Sequence, residues 1–526
     1  MSGRVFSVIL LPTSECNVAC DYCFEHKEPH RLSPALLPLL TKRLLDHLEN
    51  ERIEECEIYW QGGEAMIMGP AWFADAGEVM DQAAAKRGRR FVHYLQTNLI
   101  SYSSAWNDVI HGMFSGSIGT SMDYPNVHRK LFRGGAEAYT DLWTQRLREA
   151  KAAGIEIGVI AVLHQASLEA GPERFYRYFT EELGLCDFQV NTPFPGGPAK
   201  QLENDFRLDL SDLARFLVGL FDIWIARGYE SGVSLGPFDG LIDHFTGKQA
   251  RLPCIWKENC SNQFISVDSK GTVAQCDCWV TSYPEYFFGN VFQEPDLTRM
   301  LKTSRARRDF VERPKRLVED EDCLSCRYLS ICHGGCPVRT YSALGTMMAK
   351  DPYCEVYKAV FACAEAHGRE ILRSKKKHTA RDVMLDFNSG QSVRLDNRRT
   401  ANCSDQTQGC RAQTEGRACQ KTSGQTADAP ECLERRHNRS SIRLLNDNSL
   451  GVDPNVDTAF GRAEQESRDN KQDHTRRQCD CDKAQPKASN ANCDATPTPK
   501  MSHRLARKRH RNDRSSSDGE QHDAQR

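Results

Sequence analysis

The sequence of 526 residues lacks a long apolar run, an excess of one charge and an extended apolar leader. No stretch reaches the roughly 20 apolar residues that a membrane-spanning helix needs. The 69 basic residues nearly balance the 71 acidic ones, so the net charge of −2 gives no reason to expect nucleic acid or a membrane as partner. The apolar run before Pro12 is too short for the core of a signal peptide, which predicts a cytoplasmic protein.

The C-terminal part of the chain lacks aromatic residues. From residue 401 to the end the only aromatic residue is Phe460, and Arg, Asp, Asn, Gln, Ser and Thr dominate. Such a segment buries too little apolar surface to offset the entropy of ordering, so a disordered polar tail is predicted over 374–526. The spacing of its seven cysteines is irregular and indicates free thiols, and its basic run RLARKRHR indicates a solvated surface.

Cysteine is abundant, with 22 residues, and in a reducing cytosol this favours metal binding or catalysis over disulfides. The stretch SECNVACDYCFEH places Cys16, Cys20 and Cys23 within eight residues. A structural zinc site has four protein ligands, and a cubane [4Fe–4S] cluster takes one thiolate per iron. Three cysteines therefore leave one iron open to a further ligand.

The front half alternates short strands with helices. Strands are predicted at 5–11, 56–60, 91–97, 116–122, 155–163 and 186–192. Helices are predicted from Ser33 and Pro34, from about residue 71, and over 137–153 and 173–183. This order predicts an α/β fold with a parallel sheet of six β/α units, a partial TIM-like barrel, whose chemistry lies on the loops after the strands. The three-cysteine loop follows the first strand, and the sequence QGGE follows the second.

The cysteine loop resembles the C-x3-C-x2-C signature of the radical S-adenosylmethionine (SAM) enzymes, with Tyr22 as the aromatic residue before the third cysteine. The resemblance implies that the open iron binds SAM through its amino and carboxylate groups. Further residues match SAM-binding positions of that family. The simpler interpretation of the glycine pair among them is a turn, and that of the arginine is a surface ion pair. These residues are Gly62, Gly63 and Glu64, then Ser121 in a Ser-x-Asp motif, and Arg133.

The second half carries cysteines at a regular spacing that resembles the SPASM extension of radical SAM enzymes, which holds two auxiliary [4Fe–4S] clusters. The first cluster would be bound by Cys254, Cys260, Cys276 and Cys336. The second would be bound by Cys323, Cys326, Cys332 and Cys354. Spacing alone does not distinguish these sets from zinc knuckles, but the N-terminal triad favours iron. Cys278 lies beside Cys276 and is an alternative ligand.

Among radical SAM enzymes, 5–370 most resembles the anaerobic sulfatase-maturing enzymes, which oxidise a cysteine or serine of a sulfatase to formylglycine. That family has an aspartate directly after the third ligand of the first auxiliary cluster, and here this residue is Asp277. It could act as a general base or accept N–H hydrogen bonds that brace the cluster loop, and both roles are open. Ala65 and Tyr124 replace a proline and a glycine of the family pattern. Crosslinking or epimerisation of a ribosomal precursor peptide is the runner-up, and a non-catalytic, metal-stabilised electron-carrier or binding protein is the non-enzyme alternative.

The resemblance implies domains at 1–230 (radical SAM barrel) and 231–373 (SPASM), followed by the tail. It also implies three [4Fe–4S] clusters, SAM, a peptide or protein substrate, and an external electron donor such as flavodoxin or ferredoxin. A cysteine-rich module of this kind follows the barrel in sequence and adds closed clusters suited to electron transfer.

Overall fold

The six predicted strands of the front half are confirmed. The computed structural model describes residues 5–194, 196–197, 206–250, 252–257, 260–262 and 264–388. In it the strands are β1 Val5–Thr13, β2 Glu55–Gly62, β3 Arg90–Leu95, β4 Ser117–Ser121, β5 Glu156–Val162 and β6 Asp187–Asn191. Val8, Ile9 and Leu10 in the middle of β1 are fully buried, as expected of a parallel strand covered on both faces.

Helices separate these strands, as predicted. They are α1 Leu37–Asn50, α2 Pro70–Lys86, α3 Asn107–Met113, α4 Gly135–Ala152 and α5 Gln165–Arg177. The predicted start at Ser33 is a short 3₁₀ turn, Pro34–Leu36, that leads into α1. The helix α3 was not predicted, because its seven residues carry little periodic pattern.

The strands follow one another in chain order, which is the arrangement of a β/α barrel. One sheet holds β1, β2 and β3 side by side in parallel, and a second holds β4, β5 and β6. A parallel bridge between Gln96 and Gly119 joins β3 to β4. The C-terminal ends of the strands therefore lie along one rim, where the predicted site residues are.

The second half of the chain extends both sheets. The strand β7 Ser234–Gly236 pairs with β6, and β8 Phe264–Val267 pairs in parallel with β1. The strands β9 Thr272–Ala274 and β10 Gly289–Asn290 then add antiparallel neighbours. The helices of this half are α6 Leu210–Arg227, α7 Phe238–Phe245, α8 Asp277–Ser282, α9 Leu297–Thr303, α10 Arg305–Val318, α11 Glu321–Leu324, α12 Leu329–Cys332, α13 Pro337–Leu344 and α14 Cys354–Asn388.

The helix α14 packs on α6 and α7 and continues past residue 373, where the sequence predicts the end of the folded region. The described backbone is helical up to Asn388. The boundary of the predicted tail at residue 374 stays a prediction. The rest of the predicted tail, 389–526, lies outside the described residues. Within the described part of the chain, no helix is long and apolar enough to cross a bilayer.

Candidate active site and cysteine clusters

The cysteine triad lies in the loop that follows β1. Burial raises the pKa of the Cys16 thiol to about 12 and that of Cys23 to about 11, and both thiols interact electrostatically with Cys20. Asn98, in the loop after β3, donates from Nδ2 to Cys16 Sγ at 3.9 Å. Thiols with such raised pKa values keep their protons unless a cation replaces them, and three soft sulfur donors fit an iron–sulfur cluster.

The glycine pair after β2 packs directly against this loop. A Cβ atom on Gly63 would lie 2.3 Å from the carbonyl oxygen of Glu15, and one on Gly62 would lie 2.4 Å from that of Thr13. Gly62 also has φ +123°, which side-chain-bearing residues rarely adopt. The bare backbone lets Gly63 N donate to Thr13 O at 3.1 Å. The two glycines therefore hold the cysteine loop against the rim.

Glu64 is buried and fully engaged with protein donors. Its Oε1 accepts from Thr97 Oγ1 at 2.6 Å and from Met66 N at 2.9 Å, and its Oε2 accepts from Asn98 N at 2.6 Å. Burial raises the pKa of this carboxyl, and these hydrogen bonds oppose the rise. Glu64 thus ties the end of β2 to the loop after β3, which also carries the Asn98 side chain that reaches Cys16.

Tyr22 belongs to a buried group of charges beside the triad. Its hydroxyl donates a short hydrogen bond to Asp123 Oδ2, and Arg129 lies over its ring with the guanidinium carbon 5.4 Å from the centroid. Arg129 Nε lies 3.0 Å from Asp123 Oδ1, and both side chains are buried. Cys20 contributes a further electrostatic interaction with Arg129. The aromatic residue of the cysteine motif is therefore fixed through its hydroxyl to the loop after β4.

Ser121 ends β4 at the same rim, and Gln96 donates from Nε2 to its Oγ at 3.1 Å. Arg133 is exposed and has no hydrogen bond or ion pair to a described residue. The arginine that the structure brings to the triad is Arg129, four positions earlier. The assignment of Ser121 and Arg133 to SAM binding stays a prediction.

The four cysteines of the predicted first auxiliary set lie together. Burial raises the pKa of Cys254 well above its ordinary value, and the thiols of Cys336, Cys260 and Cys276 raise it further. Burial likewise raises the pKa of Cys260 to about 12. Cys278 Sγ is also close, because its ligand atom and those of Cys276 and Asp277 all lie within 4.8 Å of one another. The choice between Cys276 and Cys278 as ligand stays open.

The predicted second set also lies together. Cys323, Cys326, Cys332 and Cys354 line one small cavity. Burial raises the pKa of Cys332 to about 12, and Cys354 and Cys323 add to the rise. Two sets of four sulfur donors fit closed tetrahedral or cubane metal sites.

The carboxyl groups of Asp277, next to Cys276 of the first set, and of Glu25, in the triad loop, interact electrostatically. Asp277, the first residue of α8, accepts a hydrogen bond from Gln61 Nε2 at 2.9 Å. Burial raises the pKa of Asp277, and the Gln61 amide opposes the rise. Glu25 is 8% exposed, its Oε2 has no hydrogen-bond partner among the described residues, and burial and then Asp277 raise its pKa to about 8. This arrangement offers one hydrogen-bonded carboxyl group, that of Asp277, and one carboxylic acid, that of Glu25, which is protonated near neutral pH.

The sequence did not single out Gln61, Glu25, Asn98 or Arg129. Gln61 precedes the glycine pair at the end of a strand, and Glu25 lies within the cysteine segment. Their positions next to these motifs were enough to identify them as candidate site residues. Asn98 and Arg129 reach the triad through tertiary contacts and carried no such signal.

Comparison with known proteins identifies relatives along most of the described chain. No family model matches the sequence. A cysteine-type anaerobic sulfatase-maturating enzyme of Clostridium perfringens is 27% identical over 378 residues, which cover 68% of this chain and 96% of that enzyme. A serine-type anaerobic sulfatase-maturating enzyme of Bacteroides thetaiotaomicron is 23% identical and covers 62% of this chain and 81% of that enzyme.

The solved structure of native anSMEcpe with bound AdoMet has the same fold. It matches with a TM-score of 0.59 at 24% identity, over 70% of this chain and 99% of that one. The predicted α/β fold and the predicted kind of enzyme are confirmed by these matches. The homologues of this chain thus include anaerobic sulfatase-maturating enzymes of the cysteine type and of the serine type, which are radical SAM enzymes.

Proposed function

We propose that this chain is a radical SAM maturase that oxidises a cysteine or serine side chain of a sulfatase peptide to formylglycine. Homologues of both the cysteine type and the serine type support the proposal, and a related structure is that of anSMEcpe with bound AdoMet and Cp18Cys peptide. The single observation that carries it is the Gln61–Asp277 hydrogen bond, which joins the rim of the barrel to the residue after Cys276.

Three groups of cysteines would hold three [4Fe–4S] clusters, and an external ferredoxin or flavodoxin would supply electrons. Cys16, Cys20 and Cys23 would hold the cluster that binds SAM, with Tyr22, Gly62, Gly63, Glu64, Ser121 and Arg133 as the proposed SAM-binding residues. Bound there, SAM would supply a 5′-deoxyadenosyl radical, the group that would remove a hydrogen atom from the substrate carbon. The two sets of four would hold closed auxiliary clusters, since each iron then has its own thiolate.

Asp277 would take the proton from the substrate thiol or hydroxyl while the substrate loses an electron. A general base must lie within hydrogen-bond reach of that proton, and Asp277 would meet this requirement for a peptide bound at the end of β2. Gln61 would hold one oxygen of Asp277 in place and favour its ionised form, because a hydrogen bond to the charged form lowers the pKa.

The test uses the anaerobically reconstituted full chain with SAM, a reductant, and two sulfatase peptides that differ only in cysteine or serine at the target position. Formation of the aldehyde, detected by mass spectrometry and by hydrazide capture, together with 5′-deoxyadenosine is the expected result. Deoxyadenosine with a crosslinked or epimerised precursor peptide and no aldehyde would instead support the runner-up. Zinc without iron in the second half would overturn the cluster assignment.

A further inference from the structure

Arg313, on α10, is a buried cation without a carboxylate partner. Its side chain is 5% exposed, and within the described residues it forms no ion pair. Its hydrogen bonds all end on main-chain carbonyl groups: Met347 O at 2.8 Å, Gly334 O at 2.9 Å, and His333 O and Ala349 O at 3.4 Å. A buried charge that only neutral dipoles solvate is costly, so nearby negative charge is expected.

Two of the four carbonyl groups that accept from Arg313, those of His333 and Gly334, belong to the loop between the two cysteine sets. His333 and Gly334 follow Cys332 of the second set and precede Cys336 of the first. His333, Gly334 and Gly335 all have positive φ, at 48°, 80° and 74°. This backbone turns their carbonyl groups in a way that an ordinary helical continuation would not. The loop therefore carries one ligand of each set on either side of a single guanidinium group.

The negative charge near Arg313 comes from the cysteine sets themselves. Burial lowers the pKa of the Arg313 guanidinium, whereas the thiols of Cys260, Cys336 and Cys332 and the Asp351 carboxylate act in the opposite direction. Asp351 is already paired with Arg339 at 3.1 Å and accepts from Cys336 N at 2.8 Å. Lys350 and Lys358 interact with thiols of the second set, and Arg339 interacts with Cys336 of the first. Arg313 differs from them because it interacts with thiols of both sets.

We propose that Arg313 is the shared counter-charge of the two auxiliary clusters and raises the reduction potential of each. A cubane cluster with four thiolates is a net anion, and one added electron makes it more negative, while arginine keeps its proton in both states. A buried positive charge therefore stabilises the reduced cluster more than the oxidised one. In the proposed reaction this favours transfer of the substrate's electron to the first auxiliary cluster. The inference rests on the proposed cluster assignment.

The test is a potentiometric titration with dithionite and mediators, followed by electron paramagnetic resonance. The parent is the full chain with Cys16→Ala, Cys20→Ala and Cys23→Ala, so that only the auxiliary clusters report. Arg313→Gln removes the charge but keeps an amide donor, and it should lower the midpoint potentials at unchanged iron content. The midpoint potentials of Arg313→Lys should stay near those of the parent. Arg316→Gln, which removes an exposed charge from the same helix, is the matched control and should leave the potentials unchanged.

Each alternative result decides between two roles. If Arg313→Gln keeps its full iron content and its midpoint potentials are unchanged, the proposed role of Arg313 is overturned, while the cluster assignment stands. If Arg313→Gln loses iron and Arg313→Lys retains it, the result supports the need for a positive charge at this position. If both variants lose iron, the hydrogen bonds from the guanidinium group to the main-chain carbonyl groups matter instead, and the proposed role of the charge is overturned. A parent that binds zinc and no iron would overturn the cluster assignment, and this inference with it.

Discussion

The side-chain amide of Gln61 donates to Asp277 Oδ2 at 2.9 Å, although the two residues are 216 positions apart in sequence. The bond links the C-terminal end of β2 to the first residue of α8, next to Cys276. It makes the orientation of the candidate base depend on both halves of the chain. It also makes the two proposed roles of Asp277 separable by experiment.

Asp277→Asn keeps the size of the side chain but removes its ability to take a proton. If Asp277 is the base, 5′-deoxyadenosine should still form while oxidised peptide falls by ~10²–10⁴-fold. If it braces the cluster loop, iron retention in the first auxiliary set should fall as well. Iron content and the ratio of product to deoxyadenosine distinguish the two, and a normal value of both would show that Asp277 has neither role.

Gln61→Leu should move the acid limb of the pH–rate profile to higher pH. Burial raises the pKa of Asp277, and the Gln61 amide is one of several hydrogen-bond donors that oppose this rise, so its loss should raise the pKa further. More of the carboxyl is then protonated and inactive at a given pH. Gln82→Leu, at an exposed glutamine of α2, is the control and should leave the profile in place. An unchanged acid limb in Gln61→Leu would show that the Gln61–Asp277 hydrogen bond does not determine the pKa of the base.

Gly63→Ala should displace the cysteine loop. The added Cβ would lie 2.3 Å from Glu15 O and 2.6 Å from Ser14 O, both backbone atoms that have no free rotation. We expect a loss of about 1–3 kcal/mol in the free energy of unfolding and of about four irons per chain. Gly112→Ala is the matched control, since nothing lies within 4 Å of its added Cβ. Retention of all iron in Gly63→Ala would argue against this packing.

Arg129→Gln and Arg133→Gln should have different effects. Arg129 pairs with fully buried Asp123, so its loss leaves a buried carboxylate unpaired and should cost about 3–5 kcal/mol. Arg133 is exposed, so its replacement should leave thermal stability unchanged. Weaker SAM binding by Arg133→Gln in calorimetry would support its predicted role, and normal SAM binding would remove it from the site.

Glu25→Gln should stabilise the protein increasingly as the pH rises. The pKa of Glu25 is raised by burial to about 8, well above its ordinary value near 4.5. Its contribution to stability is therefore present below pH 4.5 and is lost as the pH rises through about 8. The melting temperature of Glu25→Gln relative to the wild type should be higher at pH 9 than at pH 6. Glu28→Gln, at an exposed ion pair, should not show this rise. If the difference in melting temperature between Glu25→Gln and the wild type is the same at both pH values, the burial argument is contradicted.

The sequence predicted the elements that depend on local pattern. The strands β1 to β6 have short apolar runs bounded by turn residues, and the structure has a strand at each of them. The grouping of the eight auxiliary cysteines followed from spacing and resemblance, and the structure brings the same four cysteines together in each set. Arg129 was not predicted because the turn after β4 decides which of two nearby arginines points inward. The burial of Glu25 depends on packing against α8, which lies about 250 residues further along the chain.

The parallel pairing of β8 with β1 puts the strand that leads into the cysteine triad at the interior of a sheet. Without residues 264–267, β1 would be an edge strand, with a row of free N–H and C=O groups on a mostly apolar segment. Such edges promote aggregation through intermolecular strand pairing. A barrel expressed alone is therefore expected to aggregate, and during evolution the cluster-bearing half could be exchanged only together with a strand that continues to cover β1.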